Sequence, residues 1–499
     1  MKKLLAWALA LSMVLVSTVP AMAADPVKPE PKAIPIVAVE AQDQAGIDEL
    51  NAAGLDIIAI EDGYVALIMV KDFEREYFAA NDIEYIVIEE DATAQVDWLG
   101  YEMEGGNFST FAAPIPGIPG SSATGDPSLE IDVNAMFDPT DVAFDEKYGF
   151  PKRLGYRTVT EYYGEMNYLA ALYPELVKME VIGTSVEGVP IYALEICNEP
   201  GKRDGRPETF HMAGNHAREW PTNELAMNLT WYLLTQYGKN SEVTALLDST
   251  RVWMVPMSNP DGMHYDQRNN PGSWRKNRTL NPDGTYGIDI NRNWSYRWGS
   301  NNGSSSDYNS GTYRGVAPNS EPETQAVISV YKNNQIISSI SGHTSGQLVI
   351  FAWAYVNNPN NAHPLLGELA RKQADINLHA DQNGNVMYAQ SGEINDYLWG
   401  AVRALGFTYE YGTSFVPAYG GYDRYKAIAP YNDYYGNQRR IPLTYPTAQA
   451  AAGARAPATD LAAPVAFMTE PYIIGYGSTD RFATAAKVQA MGDLTGKIL

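Results

Sequence analysis

The sequence predicts an α/β fold: a mixed central sheet covered by helices on both faces, with a small α/β module ahead of it. Three observations carry this expectation. From Tyr156 onward, apolar strand-like runs alternate with segments of helical period over roughly 290 residues, the pattern of a mixed sheet layered between helices. Residues 34–90 hold a separate, shorter series of strands and helices. Between the two lies a stretch of little periodicity, whose run Ala112–Gly125 is dense in Pro, Gly and Ser and reads as a linker.

The elements follow in chain order. Lys2 and Lys3 precede an apolar run, Leu4–Val16, and Ala21-Met22-Ala23 supplies a small-x-small cleavage pattern before Ala24. Residues 1–23 therefore read as an export signal rather than an anchor, the run being short for a bilayer span. In the module, Ile36–Glu40 is strand-like and Gln44–Ala53 has helical spacing. Asp56–Ile60 and Tyr64–Val70 pair around the turn Glu61-Asp62-Gly63, Asp72–Ala80 is helical, and Glu84–Glu89 is a last strand. The order β-α-β-β-α-β is that of a split-βαβ, ferredoxin-like unit. Residues 91–150 form the linker region.

In the main unit, residues 151–445, Glu161–Leu172 is an amphipathic helix closed by Tyr173-Pro174. Lys178–Ile182 and Ile191–Ile196 are apolar strands flanking Gly188, and Thr209–Ala213 is another. Asn223–Tyr237 reads as a long helix, Arg251–Pro256 as a buried strand and Glu323–Asn333 as a helix. Ile336–Ser341 and Gln347–Phe351 read as strands around His343, and Phe407–Tyr411 as a late strand. Residues 446–499 begin Ala-rich and finish in a short helical pattern, Thr479–Met491.

Composition narrows the classes of function. The chain has 499 residues, 45% hydrophobic and 19% charged, which suits a globular protein with more than one core. A formal charge of −23 argues against sequence-independent nucleic-acid binding, which needs a basic surface. No segment after the signal is long and apolar enough for membrane insertion, so a soluble, exported monomer is expected. The single cysteine, Cys197, excludes an intramolecular disulfide, and its place after Ile191–Ile196 reads as a buried structural thiol.

The most informative segment is Phe210-His-Met-Ala-Gly-Asn-His-Ala-Arg-Glu-Trp220. A strand-like run stops at Gly214, and His216 and Glu219 follow just ahead of a helix, where residues three apart can face one cation. Alone the pair is weak, because a surface His followed by a Glu favoured by the helix dipole reads the same way. A zinc hydrolase needs a third ligand and an open position for water. His343 meets that need: it interrupts an apolar stretch in the small, polar sequence Ser341-Gly-His-Thr-Ser345. His363 and His379 fall in polar surroundings and read as surface residues.

Six ordered segments then make a resemblance specific. They are Gly214–Trp220, Asn259-Pro-Asp-Gly262, Trp274-Arg-Lys-Asn-Arg278, Gly287-Ile-Asp-Ile-Asn-Arg-Asn-Trp294, Ser341–Gln347 and Phe407-Thr-Tyr-Glu-Tyr-Gly412. Together they resemble the signature series of zinc metallocarboxypeptidases of the pancreatic carboxypeptidase A type and their secreted bacterial relatives, over about residues 150–440. The resemblance implies a carboxypeptidase-like fold and one zinc per chain, held by His216, Glu219 and His343. It further implies Asp289 as the carboxylate orienting the first ligand His, Glu410 as general base and acid, and Arg275 as the group polarising the scissile carbonyl. Asn291 and Arg292 match the grip on the substrate's C-terminal carboxylate, Tyr388 the tyrosine that closes over the substrate, and Arg218 an arginine of the outer cleft. The position lining the specificity pocket falls on Asn395, with Glu393 and Asp396 nearby, so neither an aliphatic residue nor an acid occupies it. Ser345 replaces an aromatic common two positions after the third ligand.

Two outlying segments carry their own resemblances. The N-terminal module is similar in place and fold to the family's inhibitory prosegment; a folding aid or accessory domain is the other reading. Gly475–Ala485 is similar to the opening of a repeat in clostridial-type cell-wall-binding modules, and a helix finishing the catalytic domain explains it equally. Peptides or proteins are the expected substrates. The rival readings are a peptidoglycan stem-peptide hydrolase of the same chemistry and an inactive wall-associated binding protein. An intact set of ligands, base and arginine counts against the latter.

Overall fold

The computed structural model describes residues 33–412, apart from 92–130 and the short segments 62–63, 141, 147, 153–155, 270–271, 357–362, 378 and 385–387. The signal segment 1–23, the run Ala112–Gly125 and the tail 446–499 lie outside the described residues.

Residues 36–89 hold β1 (Ile36–Glu40), α1 (Gln44–Ala52), β2 (Ile57–Glu61), β3 (Val65–Met69), α2 (Asp72–Asn81) and β4 (Ile86–Glu89). The strands form a four-stranded sheet in the order β2-β3-β1-β4, every pair antiparallel. Alternation is what builds it: in β1 the side chains of Val37 and Val39 are buried and the intervening ones less so. They pack on Ile47 and Leu50 of α1 and Phe78 of α2. Asp43 caps α1 by accepting from the Gly46 amide, a stop-start signal legible in the sequence.

The larger sheet has eight strands in the order β11-β10-β12-β9-β7-β8-β6-β5. These are β5 (Val177–Thr184), β6 (Pro190–Ile196), β7 (Glu208–Met212), β8 (Arg251–Val255), β9 (Ile336–Thr344), β10 (Leu348–Phe351), β11 (Ala380–Asn383) and β12 (Leu405–Tyr411). The centre β8-β7-β9-β12 is parallel, and β5-β6, β6-β8 and β10-β12 are antiparallel, so the sheet is mixed. Its two faces follow from the period of two: Val252 and Met254 of β8 join one core, Trp253 and Val255 the other. The first core is closed by α3 (Val159–Leu172), α4 (Trp220–Gln236), α5 (Ser241–Ser249) and α8 (Pro364–Asn377). The second is closed by α7 (Pro322–Asn333) and the short α9 (Ile394–Tyr397). A further helix, α6 (Pro260–Asn269), follows β8.

Buried ions tie α3 to α4. Arg157 is fully buried and bonds Glu165 and Glu224, and Trp231 donates to Glu165 at 2.6 Å. Removing one partner of such a set leaves an uncompensated charge, at about 3–5 kcal/mol.

The expected strands are present, with shifted ends. Helix α4 begins at Trp220 rather than Asn223, because Pro221 in the first turn forfeits only an N–H that lacks an intrahelical partner there. β9 runs through His343 to Thr344, since β12 pairs alongside it to Tyr411. Helices α5, α6, α8 and α9 and strand β11 add to the elements expected from the sequence; α9 and β11, at four residues each, are too short to show a period. Cys197 is buried. Two expectations are corrected. His379 is 3% exposed, under the rings of Tyr411 and Tyr409 at 6.1 and 6.5 Å. His363 is half-buried, with its ring 5.1 Å from that of Trp399. His379 is drawn inward because it joins α8, which packs on the core, to β11, which pairs with β10.

Candidate active site

The carboxyl ends of the parallel strands β7, β9 and β12 converge, the place where open α/β sheets present ligand sites. β7 ends at Met212 and the chain turns at Gly214, whose φ is +68°. A Cβ there would lie 2.3 Å from Nδ2 of Asn223, which donates to the Pro256 carbonyl. Only glycine satisfies both the left-handed backbone and that contact. The turn delivers His216, and Glu219 stands at the start of α4. His343 comes from β9, and Glu410 of β12 pairs directly beside it.

His216 Nδ1 is 2.7 Å from Glu219 Oε1, His343 Nδ1 is 3.0 Å from Glu219 Oε2, and the two Nδ1 atoms are 3.1 Å apart. All three side chains are buried. The other ring nitrogens face acceptors: His216 Nε2 is 3.2 Å from Asp289 Oδ1, and His343 Nε2 is 3.1 Å from Ser341 Oγ. An Nε2–H on each ring satisfies those partners and leaves two Nδ1 lone pairs turned toward a carboxylate. Burial holds His343 below its ordinary range, and neutral imidazole is the form that ligates a metal. Burial pushes the Glu219 carboxyl up, but His216 and His343 outweigh it and hold it low. Two imidazoles and one carboxylate converging on one point make the donor set of a zinc site. Among the described residues, no other His, Cys, Asp or Glu side chains converge in this way.

Asp289 joins the ligands to the arginines. Its Oδ2 accepts from Arg275 Nε at 3.1 Å and Nη2 at 3.0 Å, while Arg275 Nη1 stands 3.2 Å from His216 Nδ1. Its Oδ1 also accepts from the Asn291 amide at 2.9 Å, capping the single turn Ile290–Arg292. Burial alone would raise the Asp289 carboxyl; Arg275 and His216 hold it well below the usual range. Asn291 and Arg292 thus sit in one turn with the carboxylate. Asn291 Oδ1 accepts from Ile394, and buried Arg292 donates to Gly303 and Asn291 carbonyls. The Glu410 carboxyl is pushed well above its ordinary value, by burial first and by Glu219 next.

Glu393 caps α9 through the amides of Asn395 and Asp396. Asn395 is buried and donates to Thr408 Oγ1 at 3.0 Å, two residues before Glu410 on β12. Burial pushes the Glu393 carboxyl up to about 7. The remaining two candidates face the N-terminal module. Arg218 makes a two-pronged bridge to Asp56, at 2.5 and 2.8 Å, and Tyr388 packs into the module's apolar core.

The structure therefore brings the ligand candidates, Asp289 and Arg275 into direct contact, with Glu410 beside His343. Three residues of the site were missed from sequence. Ser341 had a signal, since two residues from His343 in a strand means the same face. Asp56 had none, its partner Arg218 being 162 residues away, and nothing in the residue pattern around Asp266 marks it as the acceptor for the loop before Arg275.

The zinc carboxypeptidase family model matches residues 162–431, more than half of the chain. The chain is 32% identical over 268 residues to a zinc carboxypeptidase of Saccharothrix mutabilis subsp. capreolus, covering 51% of this chain and 62% of the relative. It is 32% identical over 264 residues to carboxypeptidase A1 of Rattus norvegicus, again covering 51% and 62%. The match thus spans less than two thirds of the length of these curated relatives. The crystal structure of carboxypeptidase A from Helicoverpa armigera shares the fold, with a TM-score of 0.59 at 18% identity, covering 93% of this chain and 98% of that one. With its His-Glu-His group inside the matched region, the chain belongs to the zinc carboxypeptidase family.

Proposed function

We propose that this protein is a carboxypeptidase, hydrolysing the C-terminal peptide bond of peptides or proteins. The observation that carries the reading is the single turn that presents Asp289 to His216 and Arg275 and, one and two residues later, Asn291 and Arg292. Zinc held by His216, Glu219 and His343 supplies Lewis acidity, lowering the pKa of water toward about 7. Arg292, with Asn291, binds the substrate's terminal carboxylate in a two-pronged contact. Arg275 donates N–H groups to the scissile carbonyl oxygen as negative charge develops there. The Glu410 carboxylate accepts a proton from the attacking water and then delivers it to the leaving amine. Burial and the like charge of Glu219 raise the basicity of Glu410, which suits it to hold that proton between the two steps.

The test is a pair of peptides differing only in a free or amidated C-terminus. The amide leaves the buried Arg292 without its anion, at roughly 2–5 kcal/mol. The free acid should be cut at least about 30-fold faster, since 1.4 kcal/mol is about tenfold. Arg292→Ala should erase most of that difference while zinc stays bound. Equal rates, or cleavage inside the chain, would refute the carboxypeptidase reading and favour peptidoglycan stem peptides.

We also infer that residues 34–90 hold the enzyme inactive until they are removed. Supporting this, the module engages two substrate-binding candidates at once, Arg218 through Asp56 and Tyr388 through its apolar core. Asn51 donates to the Ala389 carbonyl and Ser310 to that of Gly54, so four contacts join the module to the main unit. The exported location, the linker and a wall-associated tail belong to the same proposal, resting on the segments Lys2–Ala23, Ala112–Gly125 and Gly475–Ala485.

A further inference from the structure

We propose that Asp266 is a positioning residue for Arg275, its carboxylate fixing the loop that carries the guanidinium to the helix that follows the ligand Glu219. The inference rests on the catalytic role proposed for Arg275. Asp266 lies in α6 and is fully buried. Its Oδ1 accepts from the amides of Ser273 at 2.9 Å and Trp274 at 2.5 Å. Its Oδ2 accepts from the amide of Gly272 and from the indole Nε1 of Trp220, at 2.8 and 2.9 Å. Three of the four donors are consecutive residues ending immediately before Arg275; the fourth is the residue immediately after Glu219.

Arg275 is held at two further points. Its side chain reaches forward to Asp289 and His216, and its carbonyl accepts from the Ala217 amide at 3.1 Å. The guanidinium is thus held at its far end by Asp289 and at its backbone by the loop that Asp266 gathers. Burial pushes the Asp266 carboxyl up to about 7, against the pull of the four donors. The ionised form offers acceptor positions to all four N–H groups, whereas a protonated one gives up a position to its own O–H. A displacement of about 1 Å in a charge-stabilising group costs up to about 10²-fold in rate. Such a shift acts on turnover rather than on binding of the terminal carboxylate, which Arg292 performs from a different turn.

The experiment is a double-mutant cycle of Asp266→Asn and Arg275→Ala in the processed enzyme, reading kcat, KM and zinc per chain. Asp266→Asn keeps the shape but sets an NH2 group against N–H donors. It should lower kcat about tenfold, leave KM within about twofold and retain one zinc. In the Arg275→Ala background the same change should alter kcat by less than about twofold, because the group it positions is gone. A tenfold loss in both backgrounds, or loss of zinc from the Asp266→Asn single variant, overturns the inference and makes Asp266 a general support of the site. An Arg275→Ala enzyme with full kcat refutes the catalytic role of Arg275 itself, a separate failure. If Asp266→Asn does not fold, Asp266→Glu, which keeps the charge and moves it by one methylene, goes through the same cycle with the same criteria.

Discussion

Replacing Asp56 with Asn should switch on the uncleaved chain. Asp56 is 2% exposed and accepts twice from Arg218 and once from Lys71 at 2.7 Å. Asn keeps the volume but removes the charge, so Arg218 stays buried against a neutral amide. Breaking a buried pair in this way costs about 3–5 kcal/mol. At 1.4 kcal/mol per decade, that is a loosening of roughly 10²- to 10³-fold in the equilibrium between docked and undocked module. The assay is hydrolysis of a short free-acid peptide by the full-length chain and by a form beginning near Tyr156. Wild type should be much slower full-length than clipped, and Asp56→Asn should close most of the gap without changing the clipped rate, from which Asp56 is absent. If full-length and clipped wild type are equally active, the module does not inhibit. If they differ but Asp56→Asn leaves the difference intact, the hold resides elsewhere, with the Tyr388 contact the first alternative.

Other expectations concern the metal, the base and pH. Chelation should abolish activity and added zinc restore it, and His343→Ala should lose metal measured by atomic absorption; full activity without metal would contradict the ligand set. Glu410→Gln should cut turnover by at least about 10²-fold with zinc retained, and a change confined to KM would make Glu410 a binding residue. Burial would raise the Asp56 carboxyl, yet Arg218 and then Lys71 hold it well below the usual range. A depressed acid stabilises the docked state above its free value of about 3.8 and loses that contribution as pH falls toward the docked value. Amide protection factors across residues 51–69, taken relative to intrinsic exchange at each pH, should therefore be steady from pH 7 to about 4 and fall only below it. Opening that begins near pH 6 would point to another group.

Much of this site was legible because its chemistry is written in short ordered segments. His216 and Glu219 lie three residues apart at a helix entrance, and His343 breaks an apolar strand, so residue type and spacing together nominate them. Asp289, Asn291 and Arg292 share one motif because one turn presents all three. The alternating burial of β1 and β8 likewise follows from local pattern, since a strand that faces a core on one side must alternate. Helix ends were not legible, nor were α9 and β11, whose four residues each carry too few positions to show a period.

By itself, then, the sequence determined the fold class, the identity of the ligand candidates and their order along the chain, all of which depend on residues near one another. Tertiary structure decided the rest. Only strand order puts Glu410 beside His343, which is 67 positions earlier in the numbering. Only packing brings Asp56 to Arg218, across a separation of 162 residues, and draws Tyr388 into the core of a module that begins the described chain. Only the packing of α8 on the core and the pairing of β11 with β10 bury His379. The physical reason is common to all of these. A long-range contact is chosen by the shape and charge left over after the local elements form, and no window of sequence contains both of its halves.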